Sequence, residues 1–587
     1  MSDTKTHIGN PAADVKIAHL GFLRQLSLIS RAIASSPVAK TLVILMTLIL
    51  IVIIATAYGQ IRLNRWNKPF FDALSRRDLR DFLYELGVFF VIAGFLLTLN
   101  VTQRWLAETL QVKLREGLVR SLLKDWLFPR RAFWLANSGA MGVNPDQRMT
   151  EDARKLCELS ADLGIGLVQA SILFGTFAGV LWGLSSDFAL RIRGVDYAIP
   201  GFMLWAAIIY ASAGSLLSYW VGHGLVNRNA DRYAREANLR FSLVRVNEHV
   251  DDISLAEGES DERHRIEGHL GDVLRATRRI VWGHTNLTWV TSGFGWITIV
   301  APTLVAAPLY FTGKVSFGGL MMAAGAFTQA QSSLRWFIDN FSVIADWRAT
   351  LLRVASFRHA VINTHEPRGF ESRIAYAQGE PGKIKMENLE SLSSAHADKL
   401  RESEAVVEAG ARVLILGAPG TGKTQLFRAI AGLWPWGTGS ITRPRGEQIF
   451  YLPRGTPYLP RGTLREVLAY PLKADSFNAG SFTRALFRLG LARLAPLLDE
   501  TRRWDRELSQ DEQLCLVFAR MLIQTPQWVL IDGTLGSLDD DVLALVIDVF
   551  TKELERTAII HIGGPGEAHA LFSQTLHLIK APRALVP

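Results

Sequence analysis

Six stretches of the chain are long and apolar enough to cross a bilayer, which takes about 20 residues each. They fall at 42–58, 83–101, 165–184, 199–221, 287–311 and 317–344. The last carries Gln329, Gln331, Arg335 and Asp339, polar groups that belong against a partner helix or a wet cavity rather than lipid. Polar connections of about 60 residues follow the second and fourth stretches and carry a helical pattern. The first of them is broken at 138–145, ahead of Asn144-Pro145-Asp146-Gln147-Arg148. Helices of that length would either act as levers on a soluble domain or form a structured cytoplasmic loop. Beyond them the pattern changes. Residues 363–382 are polar and hold Pro367, Gly369, Gly379, Pro381 and Gly382, the composition of a linker. Short β-like runs then alternate with helical runs, as in an α/β domain. The expected division is an N-terminal segment 1–40, a six-helix membrane domain 41–350, a linker 351–382 and an α/β domain 383–587.

Charge orients this arrangement. Arg104, Lys113, Arg115, Arg120, Lys124, Arg130 and Arg131 follow the second stretch, and Arg228, Arg232, Arg235, Arg240 and Arg245 follow the fourth. Basic connections stay in the cytoplasm, so both termini are expected there too. The net charge of +9 is thereby assigned to membrane topology, and a nucleic-acid partner is not expected. The connection after the first stretch balances its basic residues with Asp72, Asp78 and Asp81. Its Trp66, Phe70 and Phe71 suit a membrane interface. Cys157 and Cys515, far apart and without metal-like neighbours, read as free thiols in a reducing compartment. The first forty residues do not have the layout of a signal peptide.

The chemistry is concentrated in the α/β part. Residues 417–424 read Gly-Ala-Pro-Gly-Thr-Gly-Lys-Thr, preceded by the β-like run 413–416 and followed by a helical run. This is a phosphate-binding loop in its proper context. Gly417, Pro419, Gly420, Thr421, Gly422 and Gln425 are expected to shape the loop around the phosphates of ATP. Lys423 would supply the point charge, and Thr424 would place its hydroxyl on Mg2+. The apolar run Trp528-Val529-Leu530-Ile531 ends in Asp532, the expected acidic partner of that metal. Thr424 and Asp532 are thus the candidate metal residues.

Leu508-Ser509 stands before that run and Gly536-Ser537-Leu538-Asp539 after it. The order resembles the ATP-binding-cassette superfamily: a Walker A loop, a signature beginning Leu-Ser, a Walker B strand, and a D-loop ending Leu-Asp. The resemblance covers about 383–580. Six spans fused ahead of one cassette look like a half-transporter, with a helical exporter-like membrane domain followed by an α/β cassette. Finer cues lie in Asn64-Arg65-Trp66-Asn67-Lys68-Pro69-Phe70-Phe71-Asp72-Ala73-Leu74, in Asn144-Pro145-Asp146-Gln147-Arg148, in Ala431-Gly432-Leu433-Trp434-Pro435-Trp436-Gly437 and in Tyr458-Leu459-Pro460-Arg461-Gly462-Thr463-Leu464-Arg465-Glu466. They are similar to the branch that holds the SbmA/BacA-like peptide transporters and the peroxisomal fatty-acyl transporters. The resemblance implies a homodimer, or a heterodimer with another half-transporter, in which Ser509 faces the partner's nucleotide. It also implies a bacterial inner-membrane location and a peptide or another amphipathic or hydrophilic compound as substrate.

The pattern then departs from its family. The glutamate expected after Asp532 is Gly533, and the switch histidine aligns with Gly564. The glutamine expected after Leu452-Pro453 is Arg454, and the signature glycine is Asp511. His561 falls three residues early, on the strand itself. No aromatic residue lies between Tyr376 and the loop to stack on adenine, which leaves His396 as the one substitute. No residue is assigned a catalytic role, and neither homodimer nor heterodimer restores a complete site. ATP binding with very slow or absent hydrolysis is expected. Two alternatives remain open: a transporter driven by an ion gradient, with Asp339 and Asp346 as candidate proton carriers, and a membrane protein whose cassette only senses nucleotide.

Overall fold

The computed structural model describes residues 21–136, 145–185, 189–192, 195–198, 200–311, 313–363, 372–392, 397–564 and 571–581. The expected helix break at 138–144, residues 364–371 of the expected linker and His396 lie outside them. The chain divides into two compact units, Met1–His365 and Glu366–Pro587.

The first unit is helical. Its main helices are α1 (Phe22–Ala34), α2 (Ala39–Arg76), α3 (Leu79–Trp126), α4 (Arg131–Ala136), α5 (Ala153–Leu184), α6 (Phe202–Gly222), α7 (Gly224–Glu248), α8 (Glu259–Phe311), α9 (Phe317–Asp339) and α10 (Phe341–Asn363). Among the described residues five helical stretches are long and apolar enough to span a membrane; they contain α2, α3, α5, α6 and α8. The sixth expected span is divided between α9 and α10, which separate at Asn340. Its helix α9 packs against α2, α5, α6 and α8. Ala323, Ala326 and Ala330 are buried there beside Phe327, and the small alanines let helix backbones approach closely.

The connection after the first apolar stretch is not a loop. The helix α2 continues through Pro69 to Arg76 and ends on Arg77 in the left-handed conformation. Tertiary contacts explain the continuation. Asp72 accepts from Ser316 Oγ at 2.9 Å and from the Gly318 amide at 2.8 Å, which anchors the start of α9. Asn64 donates to the Met322 carbonyl at 3.0 Å. Trp66 donates to the Glu85 carbonyl of α3 at 2.8 Å and lies 4.4 Å from Phe70 and 5.1 Å from Phe89, ring to ring. The residues expected at a membrane interface therefore also fasten three helices together. The helix α3 restarts immediately, because the Asp78 carboxylate accepts from the Arg80 and Asp81 amides as an N-cap.

The second unit is built on a ten-stranded sheet. Its strands are β1 (Ala375–Gly379), β2 (Lys383–Leu392), β3 (Ala397–Leu400), β4 (Glu404–Glu408), β5 (Arg412–Gly417), β6 (Gly437–Pro444), β7 (Ile449–Leu452), β8 (Trp528–Asp532), β9 (Ala558–Gly563) and β10 (Gln574–Ala581). The order is β1-β6-β2-β3-β10-β5-β9-β8-β7, with β4 added to β2. The part β10-β5-β9-β8-β7 is wholly parallel, so the C-terminal ends of these strands share one edge. In parallel α/β sheets ligands bind outside that edge. Val413, Leu414, Ile415, Val529, Leu530 and Ile531 are buried, as a strand covered on both faces requires. Helix α11 (Lys423–Ile430) follows β5. A helical group that includes α12 (Leu464–Ala469), α13 (Ala479–Arg488) and α14 (Gln510–Gln524) packs around Leu468, Phe482, Trp504 and Phe518.

Candidate nucleotide site

The strand β5 delivers the loop to the sheet edge, and α11 starts at Lys423 directly behind it. Gly422 stands at the N-cap and supplies no side-chain cap, which leaves the first amides of α11 open to an anion. Gly420 takes φ +79°, a conformation that glycine adopts without steric cost. A Cβ on Gly417 would come within 2.6 Å of Thr421 Oγ1, and one on Gly422 within 2.5 Å of Asp398 Oδ2. Both glycines therefore serve close packing. Thr421 Oγ1 donates to the Ala418 carbonyl at 2.7 Å, and Lys423 Nζ donates to the Gly417 carbonyl at 3.0 Å. The lysine is folded across the cradle that phosphate oxygens would fill. Pro419 lies exposed at the loop tip, and Gln425 Oε1 lies 3.2 Å from a Cβ placed on Gly422.

Thr424 Oγ1 donates to Asp532 Oδ2 at 2.9 Å. Asp532 ends β8 and is buried; burial raises its carboxyl above the ordinary range. The Thr424 hydroxyl and the charges of Arg454, His561 and Arg428 act in the opposite direction. A hard divalent cation suits this pair of oxygens, because it would compensate a buried carboxylate. The loop and this pair fit a nucleoside triphosphate with Mg2+ as a binding site. They would hold the β- and γ-phosphates and the metal, whereas hydrolysis needs further groups.

At the positions where the resemblance places those groups, other residues stand. Gly533 takes φ +62°, and its amide donates to the Ile562 carbonyl at 2.8 Å. His561 is fully buried within β9 and stacks on Phe572 at 5.5 Å, which holds it within the sheet core. Gly564 follows the strand end. Tyr376 is engaged structurally: its hydroxyl donates to the Ala429 and Trp434 carbonyls, and Arg443 covers its ring.

Ser509 is occupied with α14 within its own chain. Its hydroxyl accepts from the Glu512 amide at 3.2 Å, and Glu512 accepts from the Ser509 amide at 3.1 Å, a reciprocal capping box. The same first turn holds Asp511 beside Asp539. Burial, the Asp539 charge and a hydrogen bond between the two raise the Asp511 carboxyl. A raised carboxyl favours folding only while protonated, so its contribution is lost as pH rises from the ordinary 3.8 through the folded value. Asp511→Asn is therefore expected to melt higher than the parent at pH 7, with the difference closing as pH falls through that window. Thermal melts of both proteins from pH 3 to 8 check this; a difference that grows toward acid pH would refute it.

Two neighbours of the loop escaped the sequence reading. Asp398 on β3 and Lys580 on β10 are register partners. Asp398 abuts Gly422, and Lys580 Nζ lies 3.9 Å from a Cβ placed on Gly420. They lie near residue 420 only because β3 and β10 pair beside β5, which no local pattern announces.

The helical unit holds a cavity of about 710 Å³ between α6, α7, α8 and the α9–α10 junction. Its lining includes Ser212, Ser215, Asn229, His284, Asp339 and Ser342. Asp339 pairs with Arg335 at 3.0 Å, and Asp346 pairs with Lys155 at 2.7 Å, so each acid considered as a proton carrier has its own cation.

Comparison with known proteins agrees with both halves. The family model described as ABC transporter transmembrane region 2 matches residues 28–311, and that described as ABC transporter matches 400–535. The chain is an ATP-binding-cassette half-transporter, a helical transmembrane region fused to an α/β nucleotide-binding domain. Its relatives point to the D family within that class. It is 26% identical to the inner membrane ABC transporter ATP-binding protein YddA of Escherichia coli (strain K12), over 89% of this chain and 91% of the relative. It is 25% identical to the chloroplastic ABC transporter D family member 2 of Arabidopsis thaliana, over 83% and 76%. It is 23% identical to the lysosomal cobalamin transporter ABCD4 of Homo sapiens, over 81% of each. The fold matches the structure of a bacterial Atm1-family ABC exporter with ATP bound, with a TM-score of 0.71 and 16% identity over 92% of this chain and 94% of that one.

Proposed function

We propose that this half-transporter works as a dimer in a bacterial inner membrane, with both termini cytoplasmic, and moves a peptide or another amphipathic or hydrophilic compound. Nucleotide binds at residues 417–425 with Mg2+ on Thr424 and Asp532, and is hydrolysed very slowly or not at all. The observation that carries the transport reading is the cavity between α6, α7, α8 and the α9–α10 junction, where Ser212 and Ser215 of the spanning helix α6, with Asn229 and His284, suit a polar occupant. A solute bearing amides or hydroxyls would satisfy them. The relative named an inner membrane protein supports the location.

The test is flux in proteoliposomes. A fluorescent cationic peptide is expected to cross saturably, and Ser215→Trp, which fills the cavity, is expected to cut the rate at least about tenfold. That factor corresponds to about 1.4 kcal/mol. Linear, unsaturable flux that ignores the substitution would favour a nucleotide-sensing membrane protein instead.

A further inference from the structure

We infer that Arg454 is the γ-phosphate ligand of this site, and that it makes the cassette a device for retaining nucleoside triphosphate in preference to diphosphate. The inference rests on the reading of residues 417–425 as a nucleotide site and adds a residue and a specificity to it.

Position comes first. The strands β7 and β8 are parallel neighbours, with Leu452 opposite Ile531. Pro453-Arg454 and Asp532-Gly533 therefore emerge together at the edge where β5 delivers the phosphate loop. Thr534 ties the two exits, its hydroxyl lying 3.4 Å from the Pro453 carbonyl and 3.3 Å from that of Asp532. The Arg454 side chain runs over Gly533: its Cδ lies 3.9 Å from the place a Cβ on that glycine would take. The side chain thus lies in contact with the place where a side chain at residue 533 would begin.

The chemistry follows from what else is there. Arg454 is exposed and makes no hydrogen bond or ion pair with the described residues. Its guanidinium is free to offer a planar pair of donors, the geometry that grips a phosphate in bidentate fashion. Lys423 and the open end of α11 lie at the loop, where the β-phosphate is held. Arg454 follows β7, beside the end of β8 that carries Asp532, so a third phosphate reaching past the Thr424–Asp532 pair would meet it there. Gly533 contributes no carboxylate to compete for the guanidinium or to activate a water. The group that faces the terminal phosphate is therefore a cation that stabilises the bound ground state. Asp398 beside Gly422 adds negative charge at the opposite flank of the loop, which makes an added cation more valuable to a polyanion.

The prediction is one of specificity. Full-length protein in lipid nanodiscs is titrated by calorimetry with Mg-ATP, a non-hydrolysable ATP analogue and Mg-ADP. The parent is expected to prefer both triphosphates to ADP by about tenfold or more. Arg454→Gln and Arg454→Ala are each expected to weaken triphosphate binding by about 10- to 100-fold, the range for a lost charged hydrogen bond. ADP affinity is expected to change by less than about threefold under the same principle. Arg454→Lys should keep part of the preference, which separates loss of charge from loss of fold. Parallel losses for ATP and ADP, or no loss for either, would overturn the role of Arg454. If the parent binds neither nucleotide and Lys423→Ala changes nothing, the nucleotide reading itself falls, and the proposal with it.

Discussion

Placing glutamate at position 533 is expected to leave ATP turnover at background. In family members with working sites a carboxylate at this position polarises the attacking water, and loss of a positioned general base costs about 10²–10⁴-fold. Restoring the residue type does not restore its placement. Gly533 sits at φ +62°, and the hydrogen bond from its amide to the Ile562 carbonyl holds it there. A residue with a Cβ in that conformation carries strain of about 1–3 kcal/mol. The new side chain would also start 3.9 Å from Arg454 Cδ, so its carboxylate would meet a guanidinium before it met a water. Asp511 and Gly564 would remain. Phosphate release from purified protein in nanodiscs is therefore expected below about 0.1 per second for both parent and Gly533→Glu, against the usual range of about 1–10³ per second. The variant should also unfold about 1–3 kcal/mol more easily. Turnover in the usual range, abolished by Lys423→Ala, would show that the chain hydrolyses ATP by another route.

What the sequence announced and what it hid differ in physical kind. The phosphate loop and the strand ending in Asp532 were legible because a few adjacent residues carry both the pattern and the chemistry. The apolar spans and the helical pattern of the connections after the second and fourth stretches were legible as well; what was hidden is that span and connection form one unbroken helix, as in α3 from Leu79 to Trp126 and α8 from Glu259 to Phe311. Their outer turns are held by ion pairs along the helix, such as Arg104 with Glu108 and Arg263 with Glu267, which leave no apolar trace. The segment after the first stretch was read as a connection between spans, and the Asp72 contacts with the start of α9 make it helix instead. Asp398 and Lys580 were invisible for the same reason: strand pairing across long separations brings them to the loop.

Asp152→Ala is expected to be the most damaging single change in the helical unit. Arg148, the last residue of the motif that begins at Asn144, opens a π-helical turn that closes on Asp152. Arg148 Nη1 donates to Asp152 Oδ2 at 2.7 Å. Arg353 of α10 approaches from the other side, with Nη2 at 2.9 Å and Nε at 3.1 Å from Oδ1. The carboxylate is nearly buried, at 7% exposure, while the two arginines keep about a third of their surface in solvent. Asp152 thus joins the start of α5 to α10, in the cluster formed by Leu118, Leu122, Leu156, Leu351 and Val354. Breaking a buried pair costs about 3–5 kcal/mol. Because the stranded cations here are partly hydrated, a loss of about 3 kcal/mol is expected, at the lower end of that range. Apolar replacement of both partners separates the pair from its packing. Arg353→Met alone should cost less than Asp152→Ala, and Asp152→Leu with Arg353→Met should recover most of the loss, since apolar replacement of a buried pair is often neutral. Unfolding followed by tryptophan fluorescence measures all four proteins. A loss under about 1 kcal/mol for Asp152→Ala would place this pair among ordinary surface salt bridges and remove it as the joint between α5 and α10.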